Sequence, residues 1–396
     1  MQKDISSPFT PGIPVPVDYF VGRETELQRL LDKVKDSTHG RIEVEFLSGE
    51  RGIGKSSLAS FLRHIAETQM NVLGAHVFLG GTTSLEEMAR RVIEELILES
   101  RDKKWYDSVI DPVRQYVKSV GLFNVSIEFR PPDEILRAAV GNFADTLRGF
   151  YGKLSREKDG LLIILDDING LAESLDFANW FKSFVDGIGV SRKPLPITIV
   201  FVGYDERRRS LIRLQPSLNR VFDPIMLGPW SKEQTTDFFS RAFAKVSVVV
   251  EEDAMLVLIK YTGGLPMLAH EIGDATFRAN GDGVIDLDDS VDGVFKAAEI
   301  VGEKYVEPQV LSAIKSDKYK SILLKIVQKR IQSFSRADVA EMLNAKEEKV
   351  LGNFLGKMKK LGVLTTPDDA GKGTYRFATR LHYLYLQLYA QIQQNR

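Results

Sequence analysis

Residues 49–56 read Gly-Glu-Arg-Gly-Ile-Gly-Lys-Ser, a complete G-x-x-x-x-G-K-[ST] loop, and this segment narrows the accessible folds more than any other. Such a loop needs a buried strand before it and a helix after it. The apolar run Ile42 to Leu47 supplies the first, and Ser57-Leu58-Ala59-Ser60-Phe61-Leu62 has the pattern of the second. Gly49, Gly52 and Gly54 leave room for successive backbone N–H groups to turn inward, while a helix opening near Lys55 points its positive end at the same place. Phosphate groups of ATP or GTP suit that geometry, with Arg51, Ile53 and Ser57 completing the cofactor-binding loop. Lys55 is expected to reach the β- and γ-oxygens and Ser56 to hold Mg²⁺.

The other half of the expected site is Leu161-Leu162-Ile163-Ile164-Leu165-Asp166-Asp167. This run is short enough for a buried parallel strand and ends in two carboxylates, a Walker B pattern. Asp166 at the strand's edge is the expected metal ligand. Asp167 is placed to orient and deprotonate an attacking water. Aspartate at a strand end also starts turns and caps helices, so a structural role for Asp167 stands beside the catalytic one.

Composition bounds the remaining possibilities. A chain of 396 residues implies two or three domains. With 53 Lys+Arg against 54 Asp+Glu, total charge says nothing about partners. The absence of cysteine excludes disulfides, cysteine-ligated zinc and thiol catalysis. The five histidines form no ligand-spaced cluster. No run of about 18 apolar residues occurs, and the first residues lack the charged-then-apolar layout of a signal peptide, so a cytoplasmic location without membrane contact is expected.

Residues 1–18 carry Pro8, Pro11, Pro14 and Pro16, which favour an extended arm acting as a linker. A helix follows with Leu27, Leu30, Leu31 and Val34 on one face. Strand-like runs at Ile42–Leu47, Val72–Leu79, Leu161–Leu165, Ile197–Val202 and Asp223–Leu227 are separated by helical patterns. The fold class is therefore α/β, a P-loop parallel sheet covered on both faces, with nucleotide at the carboxyl ends of its strands. Within residues 84–160, Val120 to Phe129 alternates like an inserted strand or hairpin. Lys103-Lys104-Trp105-Tyr106 mixes cations with aromatics, but one such cluster reads as a solvated helix end rather than a single-strand groove.

With both phosphate-site motifs in place and Val21-Gly22-Arg23-Glu24 shortly before the loop, residues 19–279 resemble AAA+ and STAND-type ATPases, in the branch shared by archaeal ATPases and origin-recognition-like initiators. The resemblance implies a nucleotide-binding domain over residues 19–230 in which Phe20, Val21 and Gly22 contact the base. It also implies an arginine finger acting across a homo-oligomer, for which Arg220 fits best and Arg213 second. No sensor at the tip of the fourth strand is assignable, since Thr198 sits early in it and Tyr204 and Asp205 follow it. Residues 231–305 match a wholly helical lid. There Gly263-Gly264-Leu265-Pro266 resembles the Gly-x-Pro signature of STAND proteins, whose proline, here Pro266, touches the bound base. Met267 and Leu268 stand where initiator-like relatives place an arginine, which implies slow hydrolysis.

Residues 306–396 read as three helices, at Tyr319–Ile331, Ser335–Leu343 and Lys346–Leu361, followed by a hairpin, which is a winged-helix pattern. From Asp317 onward the chain has 15 Lys+Arg against 7 Asp+Glu, leaving 38 against 47 elsewhere. Lys346, Lys349, Asn353, Lys357 and Lys360 on the third helix, with Lys372 and Arg376 in the wing, are the expected DNA contacts, because phosphate neutralisation needs clustered cations. Two functional classes remain. One is an ATP-dependent, oligomerising DNA-binding factor of initiator, loader or transposition-regulator type. The other is a STAND-like switch whose ATP or ADP state gates binding of a protein effector.

Overall fold

All five apolar runs form one sheet. In the computed structural model, which describes residues 6–12, 21–100, 137, 139–329, 331, 333–366, 373–378 and 380–394, the strands are β1 (Ile42–Gly49), β2 (Val72–Phe78), β3 (Gly160–Asp166), β4 (Ile197–Gly203) and β5 (Asp223–Leu227). Their order is β2-β3-β4-β1-β5, every neighbouring pair parallel. β3 and β4 are buried along their whole length, which is why they read as unbroken apolar runs instead of alternating ones. Phe20, Lys372, the Val120–Phe129 segment and Lys103–Tyr106 lie outside the described residues.

Two units make up the chain, residues 14–228 and residues 1–13 with 229–396. In the first, helices α1 (Glu24–Ser37), α2 (Lys55–Gln69), α3 (Leu85–Leu98), α4 (Phe143–Leu154), α5 (Leu175–Gly189) and α6 (Asp205–Leu214) flank the sheet. Strand parity sorts the faces. Odd-numbered residues of β3 and β4 join Val44, Phe46, Leu73 and Ala75 in one core with α3, α5 and α6. Its centre is aromatic, with Phe181 edge-on to Phe201 at 4.8 Å between centroids. The opposite parity faces α1 and α2. Thr198 is on that face at the start of β4, where its hydroxyl meets Ser37 Oγ at 2.9 Å, a buried packing contact at the edge away from the phosphate loop.

The second unit holds α7 (Lys232–Lys245), α8 (Glu252–Thr262), α9 (Pro266–Ala279) and α10 (Leu287–Val301). The expectation of a wholly helical segment needs correction: β6 (Val249–Val250) pairs in parallel with β7 (Val284–Ile285). These short β-branched runs follow helix ends and close the loops that join the helices. Gly264 has φ 76°, and a Cβ there would lie 2.4 Å from Trp230 O, so the Gly-Gly-Leu-Pro turn packs too tightly for a side chain. Pro266 then occupies the first turn of α9, where its missing N–H costs nothing.

The described part of the proline-rich arm, residues 6–12, docks rather than serving only as the expected linker. Phe9 is buried among Phe238, Phe239 and Phe243, its ring edge-on to Phe243 at 5.0 Å. Gly273 makes the room, since a Cβ there would sit 2.4 Å from the Phe9 ring. The Thr10 N–H donates to His270 Nδ1 at 3.0 Å. Burial lowers His270 to about 4, consistent with a neutral ring that accepts this bond.

Past α10 the helix widens into a π-helical stretch, Gly302–Leu311, and then comes a winged-helix arrangement. It consists of α11 (Asp317–Gln328), β8 (Ser333–Ser335), α12 (Arg336–Ala340), α13 (Ala345–Glu348), α14 (Leu351–Lys360), β9 (Leu364–Thr365), β10 (Thr374–Phe377) and the closing helix α15 (Arg380–Gln394). The strands form an antiparallel sheet in the order β8-β10-β9. The single helix expected over Lys346–Leu361 is split into α13 and α14. Asn344 caps α13 in a reciprocal box with Glu347, whose carboxylate is drawn inward by Lys325 Nζ at 2.6 Å and Ser321 Oγ at 2.7 Å. The hydrogen bond from Lys325 holds the Glu347 carboxyl at about 2. Leu351, Phe354, Leu355 and Met358 of α14 pack with Tyr383 and Leu386 of α15, and Tyr385 and Tyr389 lie partly buried against the same core. Among the described residues no helix is long and apolar enough to cross a membrane.

Candidate functional site

α2 starts at Lys55 directly after Gly54, which has φ 91°, and no side chain caps it. Its first N–H groups therefore have no intrahelical partner and face the loop, a ready anion site. Gly49 is fixed by close approach: a Cβ would fall 2.9 Å from Leu227 O of β5. Lys55 Nζ donates to the carbonyls of Gly49 at 3.0 Å and Glu50 at 2.8 Å and lies 5.1 Å from the centroid of the Tyr204 ring. Burial pulls the ammonium below its usual range, opposed by the fields of Asp166, Asp167 and Glu50. The lysine of the loop and the two carboxylates thus converge, as the spacing of the motifs requires.

Strand order explains the convergence. β4 separates β1 from β3, so Tyr204, the residue after β4, falls between the phosphate loop and the carboxylates. Asp166 is buried at the end of β3. Asp167 is exposed, with φ 59°, an uncommon conformation for a residue with a side chain. Its N–H is held by Val202 O at 3.1 Å, and its carboxylate accepts from the Asn169 side-chain amide. It caps no helix, because Ser174 supplies that bond to α5.

An ATP–Mg²⁺ pair fits these residues. The uncapped helix start and the glycine turn accommodate phosphates, and a serine hydroxyl at position 56 with the Asp166 carboxylate makes the all-oxygen donor set that Mg²⁺ prefers. Of the expected base contacts, Val21 and Gly22 are buried. Arg23, which sequence reasoning left out, ties this segment down: its guanidinium donates to Gly228 O at 2.6 Å and Ile53 O at 3.3 Å. Arg51 is exposed on the loop, while Ile53 is buried and anchors it. Ser57 lies in the first turn of α2. Arg220 ends a short 3₁₀ turn, Pro216–Arg220, just before β5, and is exposed, as is Arg213 at the end of α6.

In the second unit, Pro266 and Leu268 are buried at the start of α9. Lys346, Lys349, Asn353 and Lys360 are exposed along α13 and α14, Lys357 is half-buried, and Arg376 is exposed on β10. Sequence reasoning left Tyr204 without a role and missed His76, both outside the motifs. The alternation of β2 held the signal for His76, which shares a face with Phe78, the residue paired with Asp166.

Comparison with known proteins agrees with this geometry. Residues 19–182 match the AAA ATPase domain, so this part of the chain is an AAA-type nucleotide-binding domain and the protein is an ATPase. No curated protein matches it in sequence. The fold is similar to that of the Walker-type ATPase of Pyrococcus abyssi, at 18% identity and TM-score 0.55, covering 93% of this chain and 96% of that one. It is likewise similar to the ORC2 protein of Aeropyrum pernix, solved in ADPNP–ADP complexes, at 15% identity and TM-score 0.58 over 94% of each chain.

Proposed function

We propose that this AAA-type ATPase is an ATP-dependent DNA-binding factor that works as an oligomer, its winged helix gripping the duplex and its P-loop unit setting when. The observation that carries the reading is the basic outer face of α13 and α14, on a winged helix in the same chain as a complete nucleotide site. Lys346, Lys349, Asn353 and Lys360 share the solvent side of the two helices, while Leu351, Phe354, Leu355 and Met358 take the core side. Cations so arranged neutralise phosphates without disturbing packing.

At the nucleotide site, Lys55 and the uncapped start of α2 hold the β- and γ-phosphates. Mg²⁺, held by Ser56 and Asp166, would neutralise charge that develops on them. Asp167 orients the water and takes its proton, and its strained backbone fixes the carboxylate before substrate arrives. Arg220, exposed and without an ion-pair partner among the described residues, is free to serve a neighbouring subunit's γ-phosphate.

A second reading has its own observation. Leu268 is buried at the start of α9 and Met267 precedes it, so this turn carries no arginine, as suits a STAND-like switch that closes through Pro266 onto base and binds a protein effector. Binding of labelled duplex and single-stranded DNA with ATP, ADP or neither, across a salt series, separates the two. The DNA reading expects ATP-dependent binding that weakens steeply with salt. Lys349→Glu, Lys357→Glu and Lys360→Glu together should flatten the log–log salt slope by about 0.9 per lost phosphate contact. Absence of binding in every nucleotide state at low salt would overturn it in favour of the effector switch.

A further inference from the structure

Under the phosphate loop, Ser60 and His76, which the assignments above leave unused, form a hydrogen-bonded chain with Asp166 that is buried at its His76–Asp166 end. Ser60 lies one helical turn after Ser56 on α2, so the two hydroxyls share a helix face. Ser60 Oγ is 3.2 Å from His76 Nδ1, and His76 Nε2 is 3.0 Å from Asp166 Oδ2. His76 and Asp166 are 6% and 5% exposed, so water does not compete for the bond between them. An ionised carboxylate only accepts, so the bond to Asp166 uses a His76 Nε2–H, and in the tautomer that carries this proton Nδ1 accepts from the Ser60 hydroxyl. Phe78 stacks on the imidazole at 4.5 Å and 19°, which fixes the plane of the ring. The chain thus runs from α2, which carries Ser56, through β2 to the end of β3.

We propose that His76 is a positioning residue for the metal site. It holds the Asp166 carboxylate in one orientation, leaving the other oxygen for Mg²⁺, while Ser60 selects the tautomer able to do so. Metal ligands commonly depend on such outer partners, and losing one typically weakens metal binding roughly 10–100-fold. The proposal rests on Asp166 being a metal ligand. It differs from a merely structural role for a buried histidine, which would change stability and leave metal affinity alone.

The test reads Mn²⁺ affinity of the full chain loaded with a non-hydrolysable ATP analogue, by electron paramagnetic resonance, alongside thermal melting. His76→Leu should weaken Mn²⁺ binding roughly 10–100-fold while binding of the analogue without metal is unchanged. His76→Gln, whose side-chain amide reaches where Nε2 lies, should recover most of the loss. Ser60→Ala should shift affinity in the same direction by a smaller factor. If Asp166→Asn leaves Mn²⁺ affinity unchanged, the reading of Asp166 as ligand fails, and this proposal with it. If Asp166→Asn weakens binding and His76→Leu does not, the positioning role alone is wrong. Should His76→Leu prove unfolded, native-like Ser60→Ala and His76→Gln proteins decide: unaltered Mn²⁺ affinity in Ser60→Ala, or no difference in either, overturns the proposal.

Discussion

In residues 14–228 the chemistry hangs on backbone conformation: Gly54 in a left-handed turn before α2, Gly49 pressed against Leu227, and Asp167 strained at φ 59°. In the unit formed by residues 1–13 and 229–396 the comparable work is done by side-chain packing. Phe9 fills an aromatic socket, Glu347 is drawn onto Lys325, and Tyr385 lies against Gly302, where a Cβ would come within 2.0 Å. The contrast teaches where sequence patterns speak. A backbone-built site leaves a local signature of glycines and strand-end carboxylates, because the turn that presents each group is made within one short segment of chain. A packing-built unit joins residues tens to hundreds of positions apart, and its signature is only a side chain of the right size or charge.

The largest effect that would sharpen this contrast is at Asp167. Asp167→Asn keeps size and one acceptor oxygen but cannot take a proton, so ATP turnover should fall roughly 10²–10⁴-fold, the usual worth of general-base catalysis. ATP affinity and thermal melting should stay near those of the parent, because the residue is exposed and caps nothing. Turnover within a few-fold of the parent would reassign Asp167 to the turn-forming role that strand-end aspartates also play.

Next in size is Phe9→Ala, directed at the packing-built unit. Removing a buried aromatic ring typically costs about 3–5 kcal/mol. Amide exchange in α7 and α9 should accelerate, since Phe238, Phe239, Phe243 and His270 lose their shared neighbour. Exchange in β1 to β5 is the control and should not change. Unaltered protection in α7 and α9 would mean that the arm only rests on these helices and adds nothing to their stability.

Legibility followed the same division. The five strands, the phosphate loop and the carboxylate pair were readable because burial, complete on both faces in β3 and β4, and phosphate geometry each impose a short local pattern. The π-helical stretch, the β6–β7 pair and the break between α13 and α14 were not, since each depends on partners brought in by the fold, as Glu347 depends on Lys325 and Ser321. His76 was passed over for the same reason: its partner Asp166 lies 90 positions away, and only the β2–β3 register unites them.

The smallest effect concerns a charge cluster on the α1 side of the sheet. Glu45 on β1 is fully buried, and neither carboxylate oxygen has a hydrogen-bond partner among the described residues. Lys33 Nζ stays 3.9 Å away because it also serves Glu43 at 3.1 Å and Asp223 at 3.5 Å, while Arg29 pairs with Asp223. Burial first, and then the field of Asp223, push Glu45 up to about 7, against the opposing fields of Lys33 and Arg29. A carboxyl raised in the folded state binds its proton more tightly there than in the unfolded chain. Its contribution to stability is therefore complete below the ordinary carboxyl value and is lost as pH rises through the window ending near 7. At about 1.4 kcal/mol per pKa unit the loss reaches at most about 3.5 kcal/mol. Glu45→Gln keeps the shape without the titration, so the difference in denaturant midpoint between variant and parent should grow from pH 5 to pH 7 and then level off. A constant difference across that range would show that Lys33 keeps Glu45 ionised in the folded protein. In that case even this buried carboxylate would be governed by its ion pairs, and the division between a backbone-built and a packing-built unit would need a third, electrostatic, category for the sheet's α1 face.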